Sequence, residues 1–185
     1  MDNKAIIVNH TKYRCMWLWV LFIWATYNLN THDFDDRISS VPLIMNCVNF
    51  VTYLLWDMGS MIYLPETRRT DLAIHHVGST YAMLLLAPYI PLIGNLMLMS
   101  ESLSLMNYHL RNSPILLQNY RLVCVVVVRL PIWVFTIIYA TQYSKNIEIL
   151  QNCVALNAYR YGPVFFLLYD FFILRQIWKN WRKKQ

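Results

Sequence analysis

Asp71, His75 and His76 bring together the residue types of a general base and its orienting carboxylate. Residues four apart share one face of a helix, so Asp71 can hold the His75 ring and raise its basicity. His76 points about 100° further round. An imidazole titrates near neutrality, so the pair suits a general base or a nucleophile toward an acyl group. The alternative is structural: polar side chains that hydrogen-bond neighbouring helices at about 0.6 kcal/mol each. Further ionisable residues interrupt apolar runs at Asp57, Glu101, Arg129, Arg160 and Asp170. Glu101 with Arg129 reads either as an ion pair between helices or as part of a lipid cavity, and Asp57 as a cavity residue whose partner is not legible. Arg160 and Asp170 read as structural, since such residues often pair with one another. The histidines are too few and too scattered for a di-iron site, and no ligand spacing supports zinc, so no metal is expected.

These residues need elements long enough to carry them through a bilayer. The chain is 57% hydrophobic and 14% charged, against about 25% charged in ordinary soluble domains, and its apolar residues fall in long runs. The fold expected is all-α, a multi-pass transmembrane bundle of about six helices forming one membrane domain over 1–185. The helices are placed at 13–29, 41–63, 71–87, 92–110, 120–142 and 152–177. Pro88 and Pro91 bracket a reversal, and kinks are expected at Pro131 and at Gly162-Pro163, where proline removes a backbone hydrogen bond. His10 and His32 fall outside the spans. Lys12 and Arg14 before the first apolar run imitate a signal peptide, but the tryptophans and the missing cleavage site favour a retained helix.

The net charge of +6 is spread over helix ends and short loops, which argues against a nucleic-acid partner and for a membrane topology. With six spans, Lys4, Lys12, Arg14, Arg68, Arg69, Arg111, Arg121, Lys179, Arg182, Lys183 and Lys184 share one side, and Arg37 and Lys145 the other. Eleven cations against two place both termini in the cytoplasm. Asn9-His10-Thr11 is a glycosylation sequon that this topology leaves unmodified. Cys15, Cys47, Cys124 and Cys153 lack metal or disulfide spacing and read as packing thiols.

The segment Arg69-Thr70-Asp71-Leu72-Ala73-Ile74-His75-His76-Val77-Gly78-Ser79-Thr80 resembles the signature of the TLC-domain family, which includes the ceramide synthases. Ser100-Glu101 followed by Asn107 and Arg111 is similar to the pattern of the smaller TLC-domain proteins, as is Arg129 followed by Pro131. The resemblance covers about residues 41–178. It implies a multi-helix membrane protein working on membrane lipids, with His75 and His76 as the histidine pair. Where ceramide synthases carry a further acidic motif, this chain has Ser100-Glu101-Ser102-Leu103, closer to the branch linked to lipid composition, sensing or trafficking.

Three functions follow as expectations. The first is binding or sensing of membrane lipids within the bundle. The second is acyl transfer from acyl-CoA, the co-substrate in that case, to a long-chain base. The third is a transporter, disfavoured by the absence of an inverted repeat. No other cofactor is expected, because four glycines form no phosphate-binding loop. The terminal Arg182-Lys183-Lys184-Gln185 resembles a dilysine retrieval signal of the endoplasmic reticulum, offset by one residue.

Overall fold

The computed structural model describes residues 3–31, 41–87, 90–143 and 153–182. Pro88, His32, Asp33, Asp35, Asp36, Arg37, Lys145, Lys183 and Lys184 lie outside the described residues, as do the expectations placed on them. The described residues are helical, with no strand among them. They divide into two compact units, Met1–Leu98 and Met99–Gln185.

The first unit holds α1 (Asn3–Thr31), α2 (Val41–Tyr63), a 3₁₀ turn (Pro65–Thr67), α3 (Thr70–Leu86) and α4 (Pro91–Met99), which ends at the unit boundary. α2 and α3 match the expected 41–63 and 71–87. α1 begins ten residues earlier than the expected 13–29, and the partly buried His10 extends its inward face before the apolar run begins. Cys15, Leu18, Leu21, Ala25 and Asn28 are all buried, at intervals of three and four that keep them on one face. α2 answers with Leu43, Asn46, Cys47, Phe50, Tyr53, Leu54, Asp57 and Met61, and packs against both α1 and α3.

Polar staples also hold this unit. Asn95 Oδ1 accepts from Asn28 Nδ2 at 2.9 Å and Asn46 Nδ2 at 2.7 Å, and Asn95 Nδ2 donates to the Pro91 carbonyl at 2.9 Å. All three side chains are fully buried, so each amide must find partners inside the protein. Close contact is possible because Gly94 has no side chain: a Cβ there would lie 2.5 Å from Cys47 Sγ and 3.1 Å from Met83 Sδ.

The second unit contains α5 (Ser102–Leu105), α6 (Pro114–Val123), a π-helical segment (Cys124–Arg129), α7 (Leu130–Tyr143) and α8 (Cys153–Arg182). The expected fourth span, 92–110, is not one helix. α4 has nine residues, a rise of about 14 Å against a bilayer core of roughly 30 Å. The chain breaks at Ser100 and Glu101, in a stretch where the hydroxyls of Ser100, Ser102 and Ser104 compete with the helix for backbone hydrogen bonds. A break frees backbone carbonyls, and each must be satisfied. Arg129 Nη1 donates to the Ser100 carbonyl and the Tyr120 hydroxyl to that of Ser102.

The expected fifth helix, 120–142, starts earlier, at Pro114, a residue suited to a helix N-terminus because its missing N–H is unpaired there anyway. Pro131 sits in the first turn of α7. Its ring would crowd the preceding helical turn, and the backbone widens just before it: Leu130 N–H donates to the Val125 carbonyl, five residues back. α8 runs on through Gly162-Pro163 and packs along α7, where Trp133 stacks on Phe166 with ring centres 5.0 Å apart.

Among the described residues, two stretches are long and apolar enough to cross a membrane, Val41–Tyr63 and Pro114–Tyr139. Their outward faces are apolar too. On α2, Val41, Ile44, Met45, Val48, Leu55 and Ile62 are exposed, and on the α6–α7 stretch Val123, Val126, Val127, Val134, Phe135 and Ile138. Contiguous apolar surface of this kind suits a membrane or a protein partner.

Candidate functional site

The first unit gathers ionisable side chains from α1 and α3 around Asp57 of α2. Asp57 and Tyr53 lie one turn apart on α2 and both are buried. α1 delivers Arg14, whose Nη2 is 3.3 Å from Asp57 Oδ2 and whose Nε donates to the Tyr53 hydroxyl at 3.0 Å. His10, one turn earlier on the same face of α1, lies with Nε2 3.9 Å from Asp57 Oδ1. Its ring stacks on Trp56, centres 4.8 Å apart. α3 contributes His76, with Nδ1 3.3 Å from Asp57 Oδ2. His75 follows at 5.6 Å between ring centres, and Tyr53 meets His76 edge-on at 6.3 Å.

Burial makes this arrangement consequential. Asp57 is 1% exposed, His76 0% and His75 4%. An isolated charge there is expensive, whereas a compensated one can be held. Arg14 supplies the compensation for Asp57. Burial and the Arg14 cation together push His10 below the ordinary histidine pKa, so His10 is held neutral at pH 7. In the His76 tautomer with its proton on Nδ1, facing Asp57, Nε2 is the basic nitrogen. That is the carboxylate–imidazole arrangement of a general base.

The sequence-identified residues divide between the units. His75 and His76 are adjacent on α3, and Asp57 of the neighbouring helix sets a carboxylate beside His76. Asp71, expected to orient His75, sits in the solvent-facing first turn of α3, where Arg69 Nε reaches its Oδ1 at 3.2 Å and Arg69 Nη2 its Oδ2. A carboxylate in that turn also favours the helix dipole. His10 and Arg14, read as lying before the first span, are functional candidates the sequence reading missed. Their i, i+4 spacing, continued by Trp17 and Leu18, is the signal that could have revealed them.

In the second unit Glu101 is buried at the helix break and Arg129 is 2% exposed. Arg129 binds Asp170 through Nε at 2.9 and 3.0 Å and through Nη2 at 2.6 Å, and Trp133 Nε1 donates to the same carboxylate at 2.7 Å. Asp170 therefore pairs with Arg129, while Arg160, expected as its partner, is exposed. A fork-shaped guanidinium on a carboxylate, sealed by an indole N–H and tied to the Ser100 carbonyl, has the makings of a structural clasp.

No protein-family model matches the chain, and no characterised protein or solved structure is detectably similar to it.

Proposed function

We propose that this chain is a multi-pass membrane protein that binds a membrane lipid among its helices and acts on it or senses it through Asp57, His75 and His76. The observation that carries the reading is the 3.3 Å contact between His76 and Asp57, both buried. Ionisable residues in a membrane segment are costly and mark function by default. The apolar outward faces of α2 and of the α6–α7 stretch support residence in a bilayer. The cation asymmetry of the sequence favours cytoplasmic termini, and the resemblance to TLC-domain proteins points to lipids. The test is native mass spectrometry of the protein purified from membranes in mild detergent. A lipid retained by wild type and reduced in Asp57→Asn and His76→Gln, at unchanged helicity, is the expected result. Equal lipid in all three would refute the assignment of the site.

A second reading, acyl transfer, is favoured by the same contact, because Asp57 sets His76 as a base. His76 Nε2 would take a proton from the amine of a long-chain base as the nitrogen attacks the acyl-CoA thioester. The N–C bond forms, the C–S bond breaks, and the thiol leaves with a proton. Labelled base and acyl-CoA supplied to membranes should then yield amide with wild type and none with His76→Ala. Absence of product over several chain lengths would refute this reading while leaving lipid binding standing.

A further inference from the structure

Within the second unit, antiparallel α6 and α8 leave a groove of about 430 Å³ between them. Its walls are Leu122 from α6 and Leu174, Ile177, Trp178 and Trp181 from α8, with Gln118 and Arg175 beside them. That volume is in the range of small-molecule sites. Three features say what fits it. The lining is apolar and aromatic, with Trp178 half exposed and stacked against Trp181, ring centres 5.4 Å apart. The Gln118 Oε1 acceptor is buried without a hydrogen-bond partner, so the groove offers an acceptor to a hydroxyl or ammonium donor. The surrounding charge has one sign. Among the described residues of this unit the only carboxylates are Glu101 and Asp170, both buried, while Arg175, Lys179 and Arg182 on α8 are exposed. Arg182 lies over the Trp178 ring at 5.1 Å, which keeps a cation at the groove.

From this we infer that the α6–α8 groove is a binding site for an anionic glycerophospholipid. One acyl chain lies along Leu122, Leu174 and Ile177, the phosphate faces Arg175 and Lys179, and a headgroup donor faces Gln118. An acidic peptide would match the charge but not the apolar wall, and a free phosphate would leave that wall unused. Paired tryptophans beside cations are also what the headgroup layer of a bilayer selects. The inference rests on the membrane reading of the chain but not on the histidine cluster.

The experiment reconstitutes the full chain in phosphatidylcholine vesicles doped with brominated phosphatidylglycerol or brominated phosphatidylcholine and reads tryptophan quenching. Brominated phosphatidylglycerol should quench more strongly, and replacing Trp178 and Trp181 with Phe should remove the excess. Each basic side chain near a membrane surface is worth about 1 kcal/mol toward anionic lipid, roughly a fivefold preference. Arg175→Gln should therefore weaken the preference about fivefold. Leu122→Phe, which narrows the groove, leaves every charge in place and adds no tryptophan, should abolish the excess at Trp178 and Trp181. Equal quenching by the two lipids would overturn the site, and so would a preference that survives Leu122→Phe, which would mean general surface attraction. Absence of quenching by either lipid would overturn the membrane reading beneath it.

Discussion

Asp170→Ala tests whether the Arg129 clasp holds the second unit together. The substitution removes a carboxylate that takes three contacts of 2.6–3.0 Å from Arg129 and one of 2.7 Å from Trp133. Arg129, at 2% exposure, would keep its charge without that counterion. Breaking one side of a buried pair costs about 3–5 kcal/mol, and the stranded indole N–H about 1 kcal/mol more if the losses add. A cost of about 4 kcal/mol corresponds to a fall in Tm of roughly 8–16 °C, at 2–4 °C per kcal/mol for chains of this size. Cys15, Cys47 and Cys124 are buried thiols, so a thiol-reactive dye reports unfolding of detergent-solubilised protein directly. Arg129→Leu combined with Asp170→Ala removes both charges. It should be more stable than Asp170→Ala alone yet less stable than wild type, because the Ser100 carbonyl loses its donor. A fall below about 1 kcal/mol for Asp170→Ala, or a double variant as unstable as the sum of its singles, would refute the clasp.

Two further predictions concern the first unit. Gly94→Ala drives a methyl to 2.5 Å from Cys47 Sγ and should lower stability by about 1–3 kcal/mol, measured in the same dye assay; an unchanged Tm would mean that α2 and α4 can part without cost. His10 carries a depressed pKa in the fold, so the unfolded chain binds more protons in the window below its ordinary value of about 6.5. Its contribution is complete above that pH and is lost as pH falls through the lower folded value. Wild type should lose Tm on acidification through this window, and His10→Phe, which retains a ring against Trp56, should lose less; equal losses would place the titration elsewhere.

How much of this was legible in the sequence follows from how local each signal is. α2 and α3 announce themselves as apolar runs with clear ends at Tyr63 and near Thr70. The histidine pair is visible because adjacent histidines in an apolar helix are conspicuous. The first ten residues of α1 are not legible as helix because polar residues precede the apolar run at residue 13, although His10 and Arg14 face inward. α4 ends well short of the expected 92–110 because Ser100 and Glu101 interrupt it. The groups that stabilise the break, Arg129 and Tyr120, lie 18 or more residues away in sequence. The partners of Asp57 are not legible for the same reason. Its neighbours His10, Arg14 and His76 come from two other helices, and only helix register brings them to it. Asp170 joins Arg129, 41 residues off, a pairing that composition does not specify.

The most direct test of the central claim is photo-crosslinking with a bifunctional lipid carrying a diazirine in its acyl chain, followed by peptide mapping. Adducts on α1–α3 peptides containing Tyr53, His75 or His76, competed by excess unlabelled lipid and reduced in Asp57→Asn, are the result the account predicts. Adducts confined to the outer apolar faces, unaffected by competition or by Asp57→Asn, would contradict it.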